Sequence, residues 1–188
     1  MGAARPRPAL KIDLRVESRS WKNGAKVKSI VHRAVTQAAA VLSTSPAELA
    51  IVLTDDSRVR LLNREWRGKD AATNVLSFPT NHAGGDPPLI GDIVLAYQTI
   101  AREARAQRKP FAHHLAHLAV HGFLHLLGYD HVRASEAAAM ERLERDILHG
   151  LAIPDPYGDL AAPAKSRRGK TTRTPHRRKR KSNPMTEI

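Results

Sequence analysis

Cysteine does not occur among the 188 residues. Disulfides are therefore excluded, and a metal site would have to use His, Asp or Glu. No run of eighteen apolar residues exists, so no transmembrane helix is expected. The N-terminal stretch MGAARPRPALKIDLRV has no apolar h-region, so no secretory signal is expected. It also lacks Ser or Thr at position 6, and the myristoylation pattern fails. Internal repeats are absent. These absences together point to a cytoplasmic protein with no membrane partner.

What is present is a body and a tail. Hydrophobic residues make up 41%, enough for one packed domain at this length. The formal net charge is +13, and it is unevenly spread. Residues 161–188 hold ten Lys/Arg against one acid, leaving +9; residues 1–160 hold 21 Lys/Arg against 17 Asp/Glu, leaving +4. The expected division is a domain over 1–160 and a basic, disordered tail over 161–188, with the boundary between 158 and 165. Such a tail is either plain solvated chain or a contact to nucleic-acid phosphates, from which Lys and Arg displace counterions.

Periodicity gives the order of elements. KIDLRVES alternates at Ile12, Leu14 and Val16, as a half-buried strand does. The next segment places Val27, Ile30, Val31, Ala34, Val35, Ala38, Val41 and Leu42 on one helical face. ELAIVLTDD reads as a strand, followed by a helix capped at Thr54 or Asp55 and carrying Val59, Leu62 and Trp66. TNVLSFP and LIGDIVLAY are extended, separated by the loop TNHAGGDPP. Three helices follow: about 98–107, 111–127 behind Pro110, and 135–148 with Met140, Leu143 and Ile147 facing inward. This order predicts an α+β domain, a small mixed sheet packed with helices, one of them a zincin-like metal-binding helix.

That helix ends in HGFLHLLGYDH, residues 121–131. His121 and His125 are four apart, so their rings leave adjacent turns on one side. Two such imidazoles can share one zinc ion at about 2.0–2.1 Å. A continuing helix would carry His131 roughly 9 Å beyond His125, at about 1.5 Å per residue. Gly128 resolves this, because glycine adopts the left-handed conformation that ends helices and lets the chain turn back. Three histidines then leave a fourth position open for water, as catalytic zinc sites do, and zinc lowers that water's pKa to about 7. His117 continues the stripe upstream and is a candidate for supporting the cage. His113, His114, His32, His82, His149 and His176 carry less weight.

The spacing is that of a metzincin protease, H-E-x-x-H-x-x-G-x-x-H, but Gly122 stands where the protease has its glutamate base. A phosphodiester demands less of that group and more of positive charge around the phosphoryl oxygens. LNREWRGKDAATNVLSFP, residues 62–79, offers such charge in Arg67 and Lys69. Taken alone, these are also ordinary surface charges, Asp70 a turn or cap residue and Trp66 a core residue.

HGFLHLLGYDH resembles the signature of the YbeY family, H-G-x-L-H-L-x-G-Y-D-H, at every fixed position. WRGKDAATNVLSFP and IGDIVLA resemble two further blocks of that family, in the expected order, and the resemblance spans roughly residues 10–152. It implies a zinc-dependent endoribonuclease acting on single-stranded RNA in maturation of the small-subunit rRNA 3′ end and in ribosome quality control. It implies one Zn2+ held by His121, His125 and His131, and a functional arginine at Arg67. Asp130 lies in the same signature and has three readings: orienting a ligand histidine, carrying a proton, or serving the helix-exit turn. Tyr129 reads as packing. The basic tail is outside the resemblance. Two rivals stand beside the nuclease, a zinc metallopeptidase and a non-catalytic ribosome assembly factor with a structural zinc.

Overall fold

A computed structural model describes residues 10–44, 46–80, 87–131 and 133–158. The expected tail over 161–188, His82 and His176 lie outside them. The elements run β1 (Lys11–Val16), α1 (Gly24–Val41), β2 (Glu48–Thr54), α2 (Asp56–Arg67), β3 (Val75–Pro79), β4 (Leu89–Ala96), α3 (Tyr97–Ala106), α4 (Phe111–Leu126) and α5 (Ala134–His149). This is the predicted order. The four strands form one sheet in the order β1-β2-β4-β3. β1 and β4 each lie parallel to β2, and β3 closes the sheet antiparallel to β4, so the sheet is mixed.

Alternation along the central strands sorts side chains onto two faces. Leu49, Ile51 and Leu53 of β2 and Ile93 and Leu95 of β4 enter the main core with α1, α4 and α5. Val94 and Ala96 point the other way and meet Val59 of α2 and Leu76 of β3. α1 buries Val27, Val31, Ala34, Val35 and Ala38, one helical stripe. The stripe stops a turn early: Val41, expected on it, is 44% exposed. Asp55 caps α2, its Oδ1 accepting the Arg58 N–H at 3.0 Å, and Gly68 at φ +66° ends that helix. Trp66 on this helix is 67% exposed rather than core, although it follows Val59 and Asn63 on the same face, one turn further on.

α4 is the pillar of the domain. It buries Leu115, Ala119, Val120, Phe123 and Leu124 completely, as its apolar composition predicts. Full burial of Phe123 alone contributes about 1.5–3 kcal/mol. Gly122 faces β3 and β4. A Cβ there would lie 3.0 Å from Ile93 Cγ2 and 3.2 Å from both Ser77 Oγ and Val75 Cγ2. The helix thus approaches the sheet as closely as it does because position 122 has no side chain, and Ser77 uses the proximity to donate to the Gly122 carbonyl at 3.0 Å. No helix of the described residues is long and apolar enough to cross a membrane.

Candidate metal centre

α4 ends at Leu126 in a turn that the sequence encodes in Gly128. Gly128 has φ +86°, its N–H bonds the His125 carbonyl at 3.1 Å, and the Tyr129 N–H bonds back to Leu124 at 3.1 Å. This pair of bonds is a Schellman exit. Asp130 then accepts the backbone N–H of His131 through Oδ1 at 2.7 Å. The carboxylate thus serves the turn, and it also lines the adjoining cavity.

The turn brings His131 back to the helix. One ring nitrogen each from His121, His125 and His131 lies within 4.8 Å of the others. The Nε2 atoms of His121 and His125 are 3.1 Å apart. Two ligands at about 2.0–2.1 Å from one ion, at a tetrahedral angle, stand about 3.3–3.4 Å apart. The His121–His125 pair therefore already stands near the spacing of two ligands on one ion, and the His131 nitrogen, within 4.8 Å of both, can close on the same ion.

The orientation of His121 is fixed from beneath. Its Nδ1 lies 2.8 Å from Oε1 of Glu144, a residue 1% exposed on α5. An ionised carboxylate only accepts, so Nδ1 carries the proton and Nε2 keeps its lone pair for the ion. Glu144 also receives His117 Nε2–H at 3.2 Å and the Tyr157 hydroxyl. Burial pushes its pKa up, but the bonds from His117, His121 and Tyr157 outweigh burial and hold it at about 2. Tyr157 is raised well above its ordinary value by its own burial and by that carboxylate. His117 thus supports the cage through Glu144. Glu144 was missed in the sequence reading. Its signal was an acidic residue in the stripe Met140, Ile147 and Leu148, all buried.

Burial, then the neighbouring His121 and His131, lower the pKa of His125 and favour the neutral ring that ligates. Deeper in, His114 is lowered by burial despite Glu103, whose Oε2 is 2.9 Å from its Nε2. Glu103 also receives the Asn74 amide at 3.0 Å, which fastens the wall segment ahead of β3.

The three histidines open onto a cavity of about 550 Å³. Arg67 is the one Arg or Lys among the described residues lining it, and Thr73, Asn74 and Ser77 line it too. Lys69 is not in its lining. Asp70 is tied to Arg60, Nε to Oδ1 and Nη2 to Oδ2 both at 2.7 Å, and anchors the segment leaving α2. That bidentate pair, on the surface, lowers Asp70.

A three-imidazole cage facing an open cavity with an arginine on its rim is the arrangement of a metal-dependent hydrolase, not of a closed structural site. The sequence matches the family model described as Endoribonuclease YbeY over residues 13–152. It is 56% identical over 146 residues to an endoribonuclease YbeY of Rhodopseudomonas palustris (strain BisB18), covering 74% of this chain and 87% of that one. It is 54% identical over 145 residues to the endoribonuclease YbeY of Nitrobacter winogradskyi, covering 73% and 76%. The solution structure of a Thermotoga maritima protein aligns at 22% identity and a TM-score of 0.47, over 76% of this chain and 91% of that chain. The chain belongs to the endoribonuclease YbeY family.

Proposed function

We propose that this protein is a single-strand-specific endoribonuclease that uses one zinc ion and acts in the cytoplasm. Its substrate is rRNA in ribosomal or pre-ribosomal particles, and its roles are maturation of the small-subunit rRNA 3′ end and ribosome quality control. The observation that carries this reading is the meeting of three ring nitrogens within 4.8 Å in a cavity whose rim holds Arg67. Imidazole donors suit zinc. When bound, the ion supplies Lewis acidity at the scissile phosphate.

The residues of the chain do the rest. His121, His125 and His131 hold the ion. Arg67 grips a non-bridging phosphoryl oxygen and offsets the charge that grows in the transition state. Asp130 is our assignment for proton transfer at the cavity wall. The peptidase reading is disfavoured because position 122 packs against β3 and β4 and has no room for a base.

The test is cleavage of a defined single-stranded RNA, with metal content measured on the same preparations. His121→Ala should lose both metal and cleavage. Arg67→Ala should keep its metal and turn over about 10²–10³-fold more slowly. Products ending in a 2′,3′-cyclic phosphate exclude direct water attack as the sole route; products ending in a 3′-hydroxyl and a 5′-phosphate assign the attack to water. A His125→Ala protein that has lost cleavage but still binds pre-ribosomes and still complements a deletion strain would favour the assembly-factor reading instead.

A further inference from the structure

A second groove, also of about 550 Å³, lies across β3 from the metal cavity. Ser77 and Pro79 line both depressions, so the two adjoin over the edge of the sheet. The floor of the groove is apolar: Leu62, Phe78 and Val94. Its prominent wall is Trp66, 67% exposed and set edge-on to Phe78 at 6.0 Å between ring centroids. The next residue in the chain, Arg67, lines the metal cavity. Consecutive helical residues diverge by about 100°. The last turn of α2 therefore presents a guanidinium to one depression and an indole to the other.

The charge of the groove says what fits there. Its wall carries one guanidinium, Arg58, and two carboxylates, Glu17 and Asp92. That balance repels phosphate. It suits a flat, uncharged ring with N–H donors on its edge. We propose that the groove is a nucleobase subsite, in which Trp66 stacks a base next to the phosphate held between Arg67 and the histidines. This deepens the endoribonuclease reading and rests on it. A base can reach Trp66 only when turned out of a stack, so the subsite selects single strands. Stacking tolerates every base, which gives such selection without a sequence code.

The molecule supplies its own probe. It has two tryptophans. Trp21 is 4% exposed, with its Nε1–H bonded to the Thr54 carbonyl at 2.7 Å, so quenching by a ligand reports on Trp66. The experiment titrates metal-loaded protein with an uncut 2′-O-methyl oligonucleotide, then with the same oligomer carrying one abasic position moved along it. One position should abolish the quench and weaken binding roughly 5–150-fold. Trp66→Ala should raise KM for single-stranded RNA over the same range with kcat and metal content kept, and Trp66→Tyr should recover most of the loss. Equal binding by every abasic oligomer, or an unchanged KM in Trp66→Ala, overturns the subsite while leaving the nuclease standing. A wild-type protein that cuts no RNA overturns the nuclease reading itself.

Discussion

Replacing Glu144 by glutamine tests the support beneath the cage. Glu144→Gln keeps the shape and removes the charge. The carboxylate serves His117, His121 and Tyr157 together. A bond to a charged acceptor contributes about 1.5–3 kcal/mol, a neutral one about 0.5–1.5. Three donors each losing about 1 kcal/mol give a loss near 3 kcal/mol in the metal-free protein. The fall of the Glu144 pKa from 4.5 to about 2, caused by those same bonds, corresponds to a figure on the order of 3 kcal/mol, at about 1.4 kcal/mol per pKa unit. The amide must also turn its NH₂ toward one donor, so His121 is freed to take the other tautomer. Metal affinity should fall about 10–100-fold. Competition against a chromogenic chelator at pH 7 measures the affinity, and long-range ¹⁵N–¹H NMR of the His121 ring reads the tautomer. A folded Glu144→Gln protein with wild-type affinity and the proton still on Nδ1 would refute the reasoning.

Other outcomes follow from the same geometry. The Glu144 contribution is present in full above its ordinary pKa of 4.5 and is lost as pH falls toward about 2, since its folded-state value is depressed. Urea melts of the metal-free proteins should therefore show the gap between wild type and Glu144→Gln closing over that window. Gly128→Ala meets open space but must hold φ +86°, so it should cost about 1–2 kcal/mol of backbone strain and weaken metal binding through His131, as thermal melts and chelator competition would show. Gly122→Glu restores the protease motif in letters only. It should gain no activity on casein and lose about 3–5 kcal/mol in denaturant melts, because the charge is forced between α4 and the sheet without a partner.

The cage was legible in the sequence because its parts are local. Helical spacing pairs His121 with His125, and the glycine that must end the helix is three residues further on. The order of elements was legible for the same reason. Strand pairing was not: nothing in VLSFP says that β3 runs antiparallel on the outside of β4, and that placement makes Ser77 and Pro79 walls of two depressions. Trp66 was misplaced because its spacing from Val59 and Leu62 matches a buried stripe, while its actual exposure depends on how far α2 reaches past the sheet. Glu144 escaped because the histidines it serves are more than twenty residues away in sequence. Arg67 and Lys69 are equal candidates by composition; the αL turn at Gly68 separates them, leaving Arg67 on the last helical turn and in the cavity lining.

Two of the three imidazoles ride on α4, locked between the sheet and its neighbouring helices, whereas His131 stands on an exposed turn held by a few backbone bonds. Departure of an ion would begin with His131, the arm that can swing clear without disturbing the core. Exchange kinetics of the ion should then follow the chemistry of four residues, Gly128 to His131, while the two anchored rings keep the half-released ion in place until that arm returns.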